Sequence, residues 1–248
     1  MTPEQLSDSG QAGHLTGCVR RVEALTPAEQ ARMYTLLAHY FVNVTRRQFQ
    51  HDLSEKEWAI LLTDAATGQI QGFSTLMRLQ ATVDEQLVVA FFSGDTIIRR
   101  DYWGDTALPR LWARHVFDLA EPIHEAKVYW FLICSGYKTY RFLSVFFHRF
   151  YPTCQRPTPP VIKKTLDTLA RLKFPTEYDP ERGIVHLAQR TPLRSGVAEI
   201  TPRRLKDPHI AFFAAANPGH IDGDELACLT EMTSTNLTPA GRRMLALG

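Results

Sequence analysis

Apolar positions recur along the chain with two different periods, and the switches between them mark its elements. Residues 1–24 begin Ser/Gly/Gln-rich and poor in large apolar side chains, which predicts a flexible N-terminal tail. Thr26 then opens a helix: it can cap, Pro27 suits the first helical position, and Glu29 completes a T-x-x-E capping box. Met33, Leu36, Leu37, Tyr40 and Phe41 follow at helical spacing. A polar stretch over 43–50 leads to a short second helix opened by Asp52 or Ser54.

Strands take over at Trp58. Runs over 58–63, 70–83 and 87–98 are separated by the turn 64–68 and the polar tip Asp84-Glu85-Gln86. Gly94 and Asp95 interrupt the third run, and a glycine inside a strand pattern predicts a bulge. The helical period returns over 107–119, and Lys127–Cys134 is a continuous apolar run of the kind buried on both faces. An aromatic-rich helix is expected over 137–150, until Pro152, Pro157, Pro159 and Pro160 break it. Beyond lie an amphipathic helix at 161–172, a strand at 183–187, a helix after Asp207-Pro208, a strand at 225–232 and a closing helix at 239–247. This order predicts an α/β or α+β architecture, with a mostly antiparallel sheet flanked by helices.

Length permits one large domain or two small ones among 248 residues. The strands at 183–187 and 225–232 can complete the sheet begun upstream. That favours a single domain over 25–248, with a core at 25–152 and a C-terminal extension at 153–248. A hydrophobic fraction of 44% with 22% charged residues fits an ordinary globular chain and excludes disorder and coiled coil. The net charge of +2 is too balanced for a chain living on phosphate backbones, so no nucleic-acid partner is expected. No apolar run nears the ~20 residues of a membrane span. The four scattered cysteines and the polar N-terminus favour a reducing, cytoplasmic setting. The histidines show no H-x-x-x-H or Cys/His pairing, and no metal is expected.

The most informative segment is the strand-to-helix junction at 97–112, IIRRDYWGDTALPRLW. A strand that stops at a glycine and opens into a helix presents free amides and the positive end of the helix dipole, an arrangement suited to phosphate. The local alternative is a plain strand end at Gly104 with Asp105 or Thr106 as helix cap. Taken with the element order, the junction resembles the GNAT superfamily of N-acyltransferases, whose turn reads roughly [Q/R]-x-x-G-x-[G/A]. The matching frame is Asp101-Tyr102-Trp103-Gly104-Asp105-Thr106, with Asp101 and Thr106 departing from the consensus. Phe147-His148-Arg149-Phe150-Tyr151-Pro152 stands where the family has Y-x-x-x-G-F. The resemblance covers about residues 26–152.

The resemblance implies an acyltransferase that moves an acyl group from an acyl-CoA to an amine-bearing small molecule or peptide, in a cleft between 87–98 and 127–134. It implies donor binding by Arg99, Arg100, Tyr102, Trp103, Gly104, Asp105, Thr106 and Ala107. The acid that protonates the leaving thiolate is usually the Tyr of the second motif; Phe147 stands there, so Tyr140 or Tyr137 would substitute. Asp95, at the expected bulge, is the candidate base. Asp101 and Asp105 repel a polyanion, while Arg99, Arg100, Arg110 and Arg114 oppose them. A donor with fewer phosphates, phosphopantetheine on an acyl carrier protein, fits that balance, as in N-acyl amino acid synthases and acyl-homoserine lactone synthases. The aromatic density suits a medium or long fatty acyl chain and a role in natural-product tailoring. A homodimer is compatible with the sequence. The competing reading is a GNAT-like domain without catalysis that binds a ligand or a protein.

Overall fold

The computed structural model describes residues 14–246. Eight strands among them form one mixed sheet in the order β1-β2-β3-β4-β5-β8-β7-β6. These are β1 (Leu15–Arg21), β2 (Trp58–Asp64), β3 (Ile70–Val83), β4 (Gln86–Ile98), β5 (Lys127–Cys134), β6 (Tyr178–Asp179), β7 (Ile184–Val185) and β8 (Glu225–Glu231). Every neighbouring pair is antiparallel except β4–β5. That parallel pair needs a crossover, supplied by α3 (Ala107–Ala120).

Side chains alternate across the strands, so each strand feeds two cores. On one face, α1 (Pro27–Tyr40) and α2 (Arg46–Ser54) bury Met33, Leu36, Phe49 and Leu53 against Ala59, Leu61 and Phe73. Beside them α5 (Pro160–Lys173) packs Leu166, Leu169 and Ala170 on Val88, Ala90, Phe92 and Phe131. On the opposite face α3, α4 (Tyr137–Phe146) and α6 (Pro208–Ala216) cover Leu76, Phe91, Trp130, Leu132 and Cys228. Finally α7 (Pro239–Ala246) lies across both α3 and α4. Among the described residues no helix is long and apolar enough to cross a membrane.

The capping box at Thr26 forms as its spacing predicts, Thr26 Oγ1 accepting from the Glu29 amide at 3.2 Å and Glu29 answering the Thr26 amide at 2.7 Å. The bulge forms too: Leu76 pairs with Ser93 and Ser74 with Thr96, so Gly94 and Asp95 together face Thr75 alone. Glycine is required there, because a Cβ on Gly94 would sit 2.5 Å from Thr75 Oγ1 and 2.6 Å from Lys56 Cε.

Other expectations are corrected. Residues 1–13 of the expected tail lie outside the described residues, but from Leu15 the chain is strand β1, paired with β2 along its length. It escapes notice because Leu15 is the one buried residue of its seven; its place comes from the backbone ladder. The second helix starts at Arg46, capped by Thr45, and ends near where it was expected to begin. The Phe49/Leu53 pair, four apart, turns that polar stretch into an amphipathic helix. Helix α4 stops at Phe146, where Phe147 leaves to bridge with Leu237. The strands expected at 183–187 and 225–232 do extend the sheet, β8 beside β5 and the two-residue β7 beside β8.

Candidate active site

The bulge determines the geometry of the site. β4 and β5 pair from Val88/Lys127 to Ser93/Leu132 and then part, leaving the backbone of β4 beyond Ser93 without a strand on its β5 side. A cavity of about 620 Å³ fills the opening. Its walls differ on the two faces of the sheet. From the α1/α2/α5 face come Asp52, Glu55, Lys56 and Lys173, joined by Asp95 of β4 and Glu225 of β8. From the α3/α4/α7 face come Leu108, Trp112, Phe117, Phe142, Phe146 and Met244. The tryptophans close the apex: Trp112 and Trp130 donate their ring N–H groups to Ser93 Oγ at 3.0 and 2.9 Å, with ring centroids 4.3 Å apart.

The polar wall holds two carboxylates in unlike states. Burial pushes the Asp95 carboxyl up to about 6, with the Lys56 ammonium opposing the shift and Asp52 adding to it. Asp95 keeps some accessible surface because it faces the cavity, and the protein packed around it supplies the desolvation. Burial likewise pushes Glu225 up to about 8, reinforced by the charge of Asp95 and only partly offset by the Ser135 hydroxyl. Near neutral pH Asp95 is therefore mostly ionised and Glu225 mostly protonated. Two acids in one cleft with values driven apart are the arrangement from which a base and an acid are drawn.

The lysines are tied down. Lys56 donates to the Asp52 carbonyl at 2.9 Å and Lys173 to Glu55 at 2.6 Å. Both ammonium groups approach the Phe92 ring, at 5.7 and 5.8 Å from its centroid. Burial, with Lys173 next, lowers the Lys56 value, while Asp95 and Glu55 pull it back. The result is a positive edge beside Asp95 that keeps the aspartate ionised.

Of the candidate catalytic residues, Asp95 lines the cavity and the two tyrosines do not. Helical spacing separates them. Thr139, Phe142 and Phe146 share the face of α4 that borders the cavity, whereas Tyr137 and Tyr140 share another. Tyr140 is fully buried among Phe150, Phe212 and Phe213, its hydroxyl donating to the Pro152 carbonyl at 3.0 Å; burial raises its value well above the ordinary tyrosine range. Tyr137 is buried beneath the Arg204 guanidinium. Tyr140→Phe is therefore expected to cost about 1 kcal/mol of stability, the worth of one buried hydrogen bond. Catalytic turnover is expected to change less than twofold. Urea unfolding and a rate assay of the same variant check both statements.

The turn before α3 is tied in part to itself. The amides of Tyr102, Trp103 and Asp105 donate to the carbonyls of Arg99, Arg100 and Tyr102. Asp105 turns its own carboxylate onto the start of α3, accepting from the Ala107 amide at 2.7 Å and the Leu15 amide at 3.3 Å. Tyr102 donates to Asp64 at 2.8 Å, Trp103 to the Ile98 carbonyl at 2.9 Å, and Arg99 pairs with Asp101 at 2.7 Å. Gly104 sits at φ 108° in the left-handed region, and Thr106 caps nothing with its side chain. Arg100 is the member of this group that no carboxylate holds among the described residues. None of the eight turn residues, 99–100 and 102–107, lines the cavity; Leu108 and Pro109 are the first of α3 to do so.

Glu225 is the residue that sequence reasoning missed. Its one signal is an acid at the head of an otherwise apolar strand, and strand ends are often acidic for no functional reason. Among the described residues no group of three or more His, Cys, Asp or Glu side chains is placed to hold a metal ion.

No protein-family model and no curated protein matches the chain. Solved structures do resemble it. A probable N-acyltransferase of Enterococcus faecalis V583 matches with TM-score 0.42 and 16% identity over 54% of this chain and 33% of its own. A GNAT family N-acetyltransferase of Escherichia coli in complex with CoA gives TM-score 0.37 and 17% identity over 52% of this chain and 68% of its own. The N-myristoyltransferase of Saccharomyces cerevisiae with bound myristoyl-CoA gives 0.38 and 14% over 54% of this chain and 32% of its own. The chain thus spans about a third of the length of the first and third of these. In this chain the corresponding region holds the bulged β4 and the splayed parallel β4–β5 pair.

Proposed function

We propose that the chain is an N-acyltransferase that moves a medium or long acyl group from a pantetheine thioester to an amine. The observation that carries this reading is the Asp95/Glu225 pair, set at a strand splay with an apolar wall opposite. The thioester carbonyl lies in the splay, where β4 amides released from strand pairing polarise it. The acceptor enters from the charged face, and its nitrogen attacks the carbonyl carbon. A C–N bond forms, Asp95 takes the proton that the nitrogen sheds, and the C–S bond breaks. Glu225 gives its proton to the departing thiolate. One proton has then moved from the acceptor to the thiol, and exchange with solvent restores both acids. The apolar wall receives the acyl chain.

CoA and the phosphopantetheine of an acyl carrier protein both supply such a thioester, and the acceptor class is a primary amine on a small molecule or peptide. The test is thiol release from octanoyl- and palmitoyl-thioesters of CoA and of a carrier protein, each with a panel of amines. The expected result is amine-dependent release from at least one donor, with a matching rise in melting temperature. Absence of both with every donor overturns the reading and leaves a binding module without catalysis.

A further inference from the structure

A second, smaller cavity of about 150 Å³ opens toward the start of β5, away from the splay, and shares no lining residue with the first. Its walls include Tyr129 of β5, Leu229 and Glu231 of β8, Arg149 and Tyr151 beside β8, and Ile162 from the first turn of α5. Strand register brings them together. Tyr129 pairs with Glu231, and Tyr151 bridges Leu229 in the antiparallel sense. Two residues along that bridge, Arg149 falls opposite Glu231. Alternation then sets Tyr129, Glu231 and Arg149 in one row across the sheet, on the face that α5 covers.

The main chain of this row is held firmly. The buried Asn236 side chain accepts from the Arg149 amide at 2.9 Å and donates to the carbonyls of Arg149 and Glu231 at 3.0 and 2.9 Å. The side chains are uncommitted. Among the described residues the Tyr129 hydroxyl has no hydrogen-bond partner, Glu231 no cation and Arg149 no carboxylate within 4.0 Å. Tyr129 is the buried member, 3% exposed, while Arg149 and Glu231 reach solvent. Burial, with the Glu231 charge second, pushes the Tyr129 hydroxyl up to about 12, so it keeps its proton to donate. A buried hydroxyl without a partner is costly, and an acceptor that enters the cavity removes that cost.

One cation, one anion and one hydroxyl donor define what fits. A simple anion suits Arg149 and Tyr129 but is repelled by Glu231, and a simple cation meets the reverse. A zwitterion answers all three, its carboxylate on Arg149 and Tyr129 and its ammonium on Glu231. The volume of about 150 Å³ equals about five waters at roughly 30 Å³ each, so the occupant has about five or six non-hydrogen atoms. The geometry points to a binding site for a small free α-amino acid, the size of glycine or alanine, between β5, β8 and the start of α5. Ile162 and Leu229 supply apolar contact for its short side chain. This site depends on no reading of the catalytic cavity, and its test uses no thioester.

The probe is L-alanine, titrated into the full chain and followed by saturation-transfer NMR of the ligand and by melting temperature. Saturable binding is expected, at least tenfold tighter than that of N-acetyl-L-alanine or L-alaninamide, each of which lacks one of the two charges. Arg149→Met and Glu231→Gln are expected to weaken it tenfold or more, and Tyr129→Phe about tenfold, the worth of a hydrogen bond to a charged group. Without alanine, Tyr129→Phe is expected to melt no lower than the parent, because the hydroxyl it removes has no partner. That variant therefore reads binding apart from folding. Asp95→Asn, in the catalytic cavity, is expected to bind alanine within twofold of the parent. Binding lost in Asp95→Asn and kept in Glu231→Gln overturns the proposal, since alanine then occupies the catalytic cavity. Absence of saturable binding to the folded parent overturns it too, as does equal binding of alanine and both charge-deleted analogues.

Discussion

Asp95→Asn is expected to lower kcat/KM for transfer from a medium-chain thioester by about 10²- to 10⁴-fold, the usual contribution of a positioned base. The change is nearly isosteric, and Asp95 shows only burial and charge interactions in the cleft, so the fold loses little. The pH profile identifies the role. A base works only when deprotonated and an acid only when protonated, so the parent's kcat/KM rises through about pH 6 and falls beyond about pH 8. Because the two carboxyls feel each other's charge, the limbs belong to the pair. Asp95→Asn removes the lower limb and Glu225→Gln the upper, as read by thiol release with 4,4′-dithiodipyridine at constant ionic strength. A profile unchanged in shape in both variants overturns the assignment.

Stability moves the other way, and this separates a catalytic role from a structural one. Both carboxyls have folded values raised above their unfolded ones. Their protonated forms are thus preferred in the fold: stability is full below the unfolded carboxyl range and is lost as pH climbs through the folded values. Glu225→Gln deletes that loss. Its melting temperature is expected to exceed the parent's at pH 9 and to match it at pH 5, while turnover falls at all pH values where the parent is active. A buried acid that weakens the fold in alkali yet serves the reaction is the trade-off expected of a working site.

How much of this was readable beforehand depended on whether the signal was local. The first helix carried its own start in Thr26, Pro27 and Glu29, and the Gly94 bulge announced itself as a glycine within a strand pattern. The apolar run Lys127–Cys134 gave a strand buried on both faces for the same reason. β1 did not, because an edge strand with one buried side chain is held by its partner's backbone. The α3 turn was legible as a strand-glycine-helix junction, but it was not legible that Asp105 would set its carboxylate on the Ala107 amide and on that of Leu15, ninety positions away. Tyr137 and Tyr140 were rightly placed on a helix beside the splay, and helical phase alone put them on the side away from the cavity. Glu225 enters the site through pairing of β8 with β5, a contact across about ninety residues that no local pattern encodes.

The apolar wall makes donor chain length the last expected difference. On α3, Pro109, Ala113 and Phe117 recur at four-residue spacing along the cavity, so one stripe of the helix lines it. Phe142 and Phe146 do the same from α4, and Met244 of α7 joins them, α7 resting on both helices. An octanoyl chain has six methylenes more than acetyl. At about 0.8 kcal/mol for each one buried, full burial favours it by about 5 kcal/mol, or about three orders of magnitude in kcat/KM at the upper bound. Ala113 lines the cavity, so Ala113→Phe places a ring into that space. It is expected to reduce kcat/KM for octanoyl and palmitoyl donors at least tenfold and to leave acetyl transfer within about twofold. Equal losses for acetyl and octanoyl donors place the chain elsewhere, because only a chain that occupies this wall is displaced by filling it.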